Sequence, residues 1–395
     1  MRLLCLLLPL ALLSAVPACP ATVLVLQFQN RSQYSDLNWV GESVAETLMN
    51  EYAAANQIVL DRGSRAEAMH RLSLRPGATF TKATLIRLGE SLDADYLCYG
   101  TYDANLPAGS TELKDSSVQV SARFLDLRHM HDGPEASETG KLSELSRLEE
   151  HLAFATLKYL EPKANLALDQ FMAPNKLIRV DAEESYVRGL LSPSGDQQQK
   201  WFLQAAALDA NFSSPAFELG KLALQKKDYP QALTWFQHIN PKDPHYPEAR
   251  FKMGLSAYGG ADYASAANFF REVLKTYPLN EVYNNLGVAE MQLNQPAALG
   301  DLHRAVDGDP NDPAYLFNLG AALLKNSRFE EAAKAFQAVL DRKPADSDAA
   351  TLLERAQNHD ASASAKPDIP ARLKLNLDAT AFRQLKAMLQ PKGSE

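Results

Sequence analysis

Residues 22–28 (TVLVLQF) form a β-rich apolar run, and Leu37 to Ala55 carries Val40, Val44, Leu48 and Tyr52 at helical spacing. A strand followed by a helix is expected. Gln57 to Leu60 reads as a second strand, helices are expected near 63–72 and 82–92, and Tyr96 to Tyr102 reads as a third strand. From Val118 to Leu127 apolar and polar residues alternate, as in a strand buried on one face. A helix near 144–160 closes this α/β segment. Beyond residue 180 the apolar spacing turns wholly helical and begins to repeat.

Glycines at 220, 254, 287 and 320 are 34, 33 and 33 residues apart, and each follows Leu or Met. Ala232, Ala266 and Ala332 fall twelve residues after the first, second and fourth glycine, with Phe236, Phe270 and Phe336 four further on. The third unit has Ala298 and Leu302, one residue early, and prolines 244, 278, 310 and 344 close the units. The spacing describes a helical hairpin. A small residue on the first helix lets the second approach, a bulky one fills the space between hairpins, and proline stops the second helix because it lacks an amide donor. One hairpin cannot bury both faces, so the units must stack.

These residues resemble the tetratricopeptide repeat (TPR) family, with repeats at 213–246, 247–279, 280–312 and 313–346. A degenerate copy at 181–212 precedes them, with Tyr186 to Gly189 and Phe202 to Asn211 as its two helices, and residues 347–358 form a capping helix. The 22–160 segment resembles the amino-terminal domain of TolB-like periplasmic proteins. The resemblance rests on Leu26-Gln-Phe-Gln-Asn30, the helix Gly41 to Leu48, Leu88-Gly89 before Ala94-Asp-Tyr96, Gly100, and the strand closing on Leu125-Asp-Leu127. Together these imply an α+β fold class, a small TolB N-terminal-like α/β domain followed by an all-α TPR superhelical solenoid.

The first 21 residues, MRLLCLLLPLALLSAVPACPA, place Arg2 before an apolar run that ends in small residues, the layout of a secretory signal peptide. Cleavage after Ala21 would free the chain, whereas Val16-Pro-Ala-Cys19 resembles a bacterial lipobox that would leave a lipid anchor on Cys19. The expected location is periplasmic or secreted, or the outer membrane as a lipoprotein. No later run is long enough to span a bilayer as a helix, so a transmembrane protein is not expected. After that cleavage only Cys98 remains, inside an apolar run, and it is expected to be a packing residue. With 40 Lys and Arg against 48 Asp and Glu, the net charge of −8 has the wrong sign for neutralising phosphates, so nucleic acid is not an expected partner.

The chain contains no G-x-S-x-G, C-x-x-C, H-E-x-x-H or G-x-x-x-x-G-K, so neither an enzyme nor a cofactor is expected. His129-Met-His131-Asp132 offers two imidazoles but no identifiable third ligand; reading Asp132-Gly-Pro134 as the turn after a strand leaves both histidines solvated, and no metal is expected. A surface remains. In TPR proteins the first helix of each repeat lines the inner groove, at positions that here carry Phe217, Lys221, Leu224, Phe251, Leu255, Tyr258, Asn284, Val288, Met291, Phe317, Ala321 and Leu324.

The resemblance implies a protein-binding groove, apolar and aromatic, suited to an amphipathic helix or an extended apolar peptide. Packing between helices would account equally for Phe217 and Phe251. Asn284, Asn285 and Asn318 are too few for the Lys/Asn/Arg set with which chaperone-binding relatives clamp a terminal carboxylate. After the linker 359–369, the tail at 370–390 alternates like a strand over Pro370 to Leu377 and then places Ala381, Phe382, Leu385 and Leu389 on one helical face. It either folds back onto the array or engages another molecule. The expected function is an exported, non-enzymatic adaptor for a protein partner in the bacterial envelope; the alternative is a small-ligand sensor or carrier with a cleft between the α/β domain and the repeats.

Overall fold

A computed structural model describes residues 21–55, 57–75, 77–162, 167–172, 177–241, 243–360 and 370–389. The expected signal peptide, the lipobox cysteine and most of the expected linker lie outside the described residues. The amino-terminal domain runs β1 (Thr22–Val25), β2 (Gln29–Asn30), α1 (Val40–Ala54), β3 (Ile58–Val59), α2 (Arg62–Arg71), α3 (Lys82–Glu90), β4 (Tyr96–Asn105), β5 (Ser117–Asp126), β6 (His131–Lys141) and α4 (Leu145–Leu160). The sheet order is β3-β1-β4-β5-β6, with β2 beside β4. β1 pairs in parallel with β3 and β4, and β4, β5 and β6 form an antiparallel meander.

Strand alternation divides the core. Val23, Val25, Cys98, Tyr102, Val120 and Phe124 face α1 and α4, while Leu24, Leu26, Leu97 and Leu125 face α2 and α3. Parallel strands need crossovers, which α1 supplies on one face and α2 with α3 on the other, while α4 follows the antiparallel meander. Cys98 is fully buried. Burial pushes its thiol up to about 12, so it behaves as a packing residue.

The reading of Asp132-Gly133-Pro134 as a turn is corrected. The turn lies at residues 127–130, where Met130 adopts φ 55°, and the chain returns as β6 through His131. β6 is an edge strand and nearly all polar, so no apolar alternation announces it. Gly133 and Pro134 sit where the register slips between Arg123 and Leu125, a bulge in which a missing amide donor costs little.

A short helix α5 (Leu168–Met172) precedes the array. The hairpins are α6 (Val180–Leu191) with α7 (Gly195–Leu208), α8 (Ser213–Gln225) with α9 (Tyr229–Phe236), α10 (Tyr246–Gly259) with α11 (Tyr263–Leu274), α12 (Asn280–Gln292) with α13 (Ala297–Gly308), and α14 (Pro313–Lys325) with α15 (Phe329–Arg342). α16 (Ser347–Gln357) caps them, and α17 (Ala379–Leu389) ends the described chain.

The repeat glycine has a steric reason. A Cβ on Gly254 would lie 2.5 Å from the Phe270 ring, and Gly220, Gly287 and Gly320 face Phe236, Leu302 and Phe336 in the same way. The degenerate repeat uses Gly189 and Phe202 for this contact.

The first hairpin is joined to the sheet domain. α6 packs on α1, and Val187 belongs to the domain's core. Ser43 Oγ donates to Glu183 Oε1 at 2.6 Å, and Thr47 Oγ1 donates to Glu149 Oε2 at 2.7 Å. Both carboxyls are buried, and the charge of Glu183 lies close enough to act on Glu149. Loss of hydration raises both above the usual carboxylate range, Glu149 well above it, and the proximity of Glu183 adds to the rise at Glu149.

Candidate peptide-binding groove

The carboxy-terminal tail lies in the concave face of the array. It runs against the repeat order, from α16 and α14 across α12 to α10, and makes its bonds at alternate residues as an extended chain does. Arg372 N donates to Asn318 Oδ1 at 2.8 Å, and Asn318 Nδ2 returns a bond of 2.8 Å to Arg372 O. Lys374 N donates to Asn285 Oδ1 and Asn285 Nδ2 to Lys374 O, each at 2.8 Å. Asn284 Nδ2 also reaches Arg372 O at 3.1 Å. Lys252 Nζ completes the series with Leu375 O at 2.9 Å and Asn376 Oδ1 at 2.6 Å.

These partners share one register. Lys252, Asn285 and Asn318 each stand two residues before a repeat glycine, so successive first helices present them at equivalent points of the groove. Asn284, Asn285 and Asn318 are fully buried, and they bond to one another as well as to the tail. A buried amide costs free energy unless its donors and acceptor are met, and here the backbone of a docked strand meets them.

The side chains of the tail add charge. The Arg372 guanidinium forms a bidentate pair with Asp346 at 2.6 and 2.7 Å and lies 3.5 Å from the centre of the Phe317 ring. The hydrogen bond from Arg372 holds the Asp346 carboxyl below the usual aspartate range. Lys374 pairs with Asp312 and sits 4.7 Å from the Tyr315 ring centre. Asp312 and Asp346 are also N-caps, accepting from Ala314 N at 2.8 Å and Ala349 N at 3.1 Å respectively. Capping fixes both side chains at helix amino termini, in place for the cations of the tail.

Between the cations, Leu373 packs against the cores of the last repeats, and Leu377, Phe382 and Leu385 continue along the middle ones. Phe382 meets Tyr277 with ring centres 4.8 Å apart, and Arg383 donates to the carbonyl of Val59 on β3. α17 thereby covers one edge of the sheet.

The residues expected to line the groove divide into three groups. Phe217, Phe251 and Phe317 turn onto Phe236, Phe270 and Phe336 within their own hairpins, with ring centres 5.9, 5.7 and 5.8 Å apart. Leu255, Val288 and Leu324 are buried in the repeat cores, with Leu224, Tyr258, Met291 and Ala321 half-buried at their margins. Asn284 touches the tail, as does the Phe317 ring beneath Arg372, whereas Lys221 pairs with Glu218 at 2.9 Å.

The sequence reading placed no ligand contact on Lys252, Asp312 or Asp346, and it set Asn285 and Asn318 aside as a failed carboxylate clamp. The recurrence of polar residues two before the repeat glycine was the signal available. The occupant is the tail folded back onto the array, one of its two expected fates; it is extended, but it carries two cations and is held largely through its backbone.

A second concavity, a cavity of about 540 Å³, opens on the α2 side of the sheet. Arg31, Arg62, Arg65, Tyr99 and Arg123 contribute to its wall, and Leu191 reaches it from α6. Arg65 pairs with the buried Glu42, and Arg123 with Glu135 at 2.9 Å. His129 and His131 both lean toward Asp126, at 2.9 and 3.7 Å, and no group of three metal-ligating side chains occurs among the described residues. Among the described residues no helix is long and apolar enough to cross a membrane.

Residues 248–280 match one tetratricopeptide repeat family model, and residues 295–347 match another. The array is therefore built of TPRs, a class whose members generally serve as protein-interaction scaffolds. Solved structures similar to this chain include YrrB, described as a TPR protein with an unusual peptide-binding site, at 23% identity over 40% of this chain and 84% of that one, TM-score 0.35. MamA 41-end from Desulfovibrio magneticus RS-1 is similar at 22% identity over 42% and 95%, TM-score 0.38. The Arabidopsis OM64 TPR domain is similar at 26% identity over 29% and 97%, TM-score 0.28. No curated protein matches the chain.

Proposed function

We propose that this protein is a non-enzymatic adaptor of the bacterial envelope that takes up a protein segment in its TPR groove, with the TolB-like amino-terminal domain as a second docking surface. The observation that carries the reading is the groove itself, where Lys252, Asn285 and Asn318 address the backbone of an extended chain at equivalent points of successive repeats. Backbone-directed bonds suit a protein ligand, because every peptide offers the same donors and acceptors. Export rests on the leader-like first 21 residues, with release after Ala21 or anchoring through Cys19 as the two outcomes of processing.

The test is crosslinked capture by the tagged mature protein from envelope extract, comparing wild type with Tyr258→Glu/Met291→Glu, both checked by circular dichroism. A protein recovered by wild type and lost with the folded variant supports the adaptor. Equal recovery by both refutes a role for the groove. A small-ligand reading is favoured by the arginine-lined cavity of the sheet domain, which Leu191 of the first hairpin reaches. Under that reading a small anion would raise the melting temperature while no protein is captured.

A further inference from the structure

We infer that the groove of the last repeats selects an extended protein segment with two cations two residues apart and leucines alternating with them, and that Arg372-Leu-Lys-Leu-Asn-Leu377 occupies it as a tethered competitor which the partner's segment must displace. The inference rests on the adaptor reading and names the chemistry of its partner.

The asparagines read no sequence, since their bonds to the tail go only to its main chain. Selectivity comes from the two aspartates. Asp346 takes the fork of Arg372 and Asp312 the ammonium of Lys374, and the aspartates stand at equivalent points of successive units, thirty-four residues apart. At the corresponding earlier helix start stands Leu279, so the pair of carboxylates is not continued toward α10. A guest shifted by two residues would set Lys374 against Asp346 and Asn376 against Asp312, losing one ion pair. A guest shifted by one would turn Leu373 and Leu377 off the apolar floor.

The tail has the composition of a ligand on a leash. Its main-chain bonds go to side chains of the array rather than to a neighbouring strand, Leu375 is 66% exposed, and the Ala/Ser-rich residues 361–365 join it to α16. Tethering through so short a link sets an effective concentration on the order of millimolar, so a free peptide competes poorly unless the tail is weakened.

The probe is a fluorescent synthetic peptide with the sequence of residues 370–378, titrated by anisotropy into the full chain and into Arg372→Glu/Lys374→Glu, which sets carboxylates against Asp346 and Asp312. Hydrogen exchange over residues 371–377 monitors release of the tail. The opened chain is expected to bind the peptide at least about tenfold more tightly than wild type, and a peptide with Gln in place of both cations about tenfold or more weakly. As a second arm, Asp312→Lys/Asp346→Lys should lose the natural peptide and bind one carrying Glu at both cation positions.

A tail that stays protected after charge reversal, equal affinity of the Gln peptide, or equal binding by wild type and opened chain overturns the inference. So does a wild-type dimer whose tails exchange, since the occupant is then a second copy. If the opened chain ignores the peptide but captures an envelope protein through the groove, the motif falls and the adaptor stands; if it captures nothing, both fall.

Discussion

Replacing Arg372 by Ala isolates what the charged contacts contribute to tail docking. The substitution removes the bidentate pair with Asp346 and the contact with the Phe317 ring, while leaving the main-chain bonds to Asn284 and Asn318 available. The pair is neither fully buried nor free in solvent, with side chains 23% and 11% exposed. Its contribution lies between the ~0.2–1 kcal/mol of an exposed pair and the ~1.5–3 kcal/mol of a well-sheltered charged hydrogen bond. The ring contact adds about 0.5–1 kcal/mol. Asp346 is not orphaned, because it still caps α16 through Ala349 N.

About 2 kcal/mol of docking should therefore be lost, roughly a thirtyfold rise in the opening constant. The readout is the Lys374 amide, which donates to Asn285 and not to the mutated contact. Its hydrogen exchange should quicken by about thirtyfold if opening is the limiting equilibrium, with buried amides of α14 unchanged. Arg372→Lys should fall between, since an ammonium keeps the charge but not the fork. Exchange within about threefold of wild type would mean the ion pair holds nothing in place, and the reasoning would be wrong.

Two further outcomes follow from the packing and from the buried carboxyls. Gly254→Ala places a Cβ against the Phe270 ring and should cost about 1–3 kcal/mol in urea unfolding; an unchanged midpoint would show that the ring can move aside. Burial raises both Glu149 and Glu183, so the native state keeps a proton that the unfolded chain releases. Stability from this junction is then full below the ordinary carboxylate range and is lost as pH rises through the raised values, and Glu46, which burial lifts to about 7, acts in the same direction. Glu183→Gln should flatten the fall of stability as pH rises above the ordinary carboxylate range, and an equal slope in variant and wild type would refute a proton retained at this junction.

The repeat spacing was legible because it is a steric rule applied locally: each glycine meets one bulky side chain of its own hairpin, a phenylalanine or, at Gly287, Leu302, and both lie within about half a period of chain. The sheet was legible where one face is buried and the other is not. β6 escaped because an edge strand needs no apolar face, and the Gly133-Pro134 pair that marks its bulge also fits a turn. In the groove, helical spacing brought out the apolar positions. Several of those positions serve the hairpins themselves, and the next polar position along the helix is the one that meets the tail.

By itself, the sequence determined the α+β division, the period and register of the repeats, and a tail with strand-like and then helical spacing, because each of these depends on neighbours close in the chain. The tertiary structure alone decided where the tail goes. Asp312 and Asp346 read locally as helix caps, Arg372 and Lys374 as surface cations, and Asn285 and Asn318 as two isolated amides. Their complementarity appears only when stacking curves the array and sets successive caps and amides alongside alternate residues of one extended strand. That match spans distances along the chain over which propensity and periodicity carry no information, and it is a property of the assembled surface.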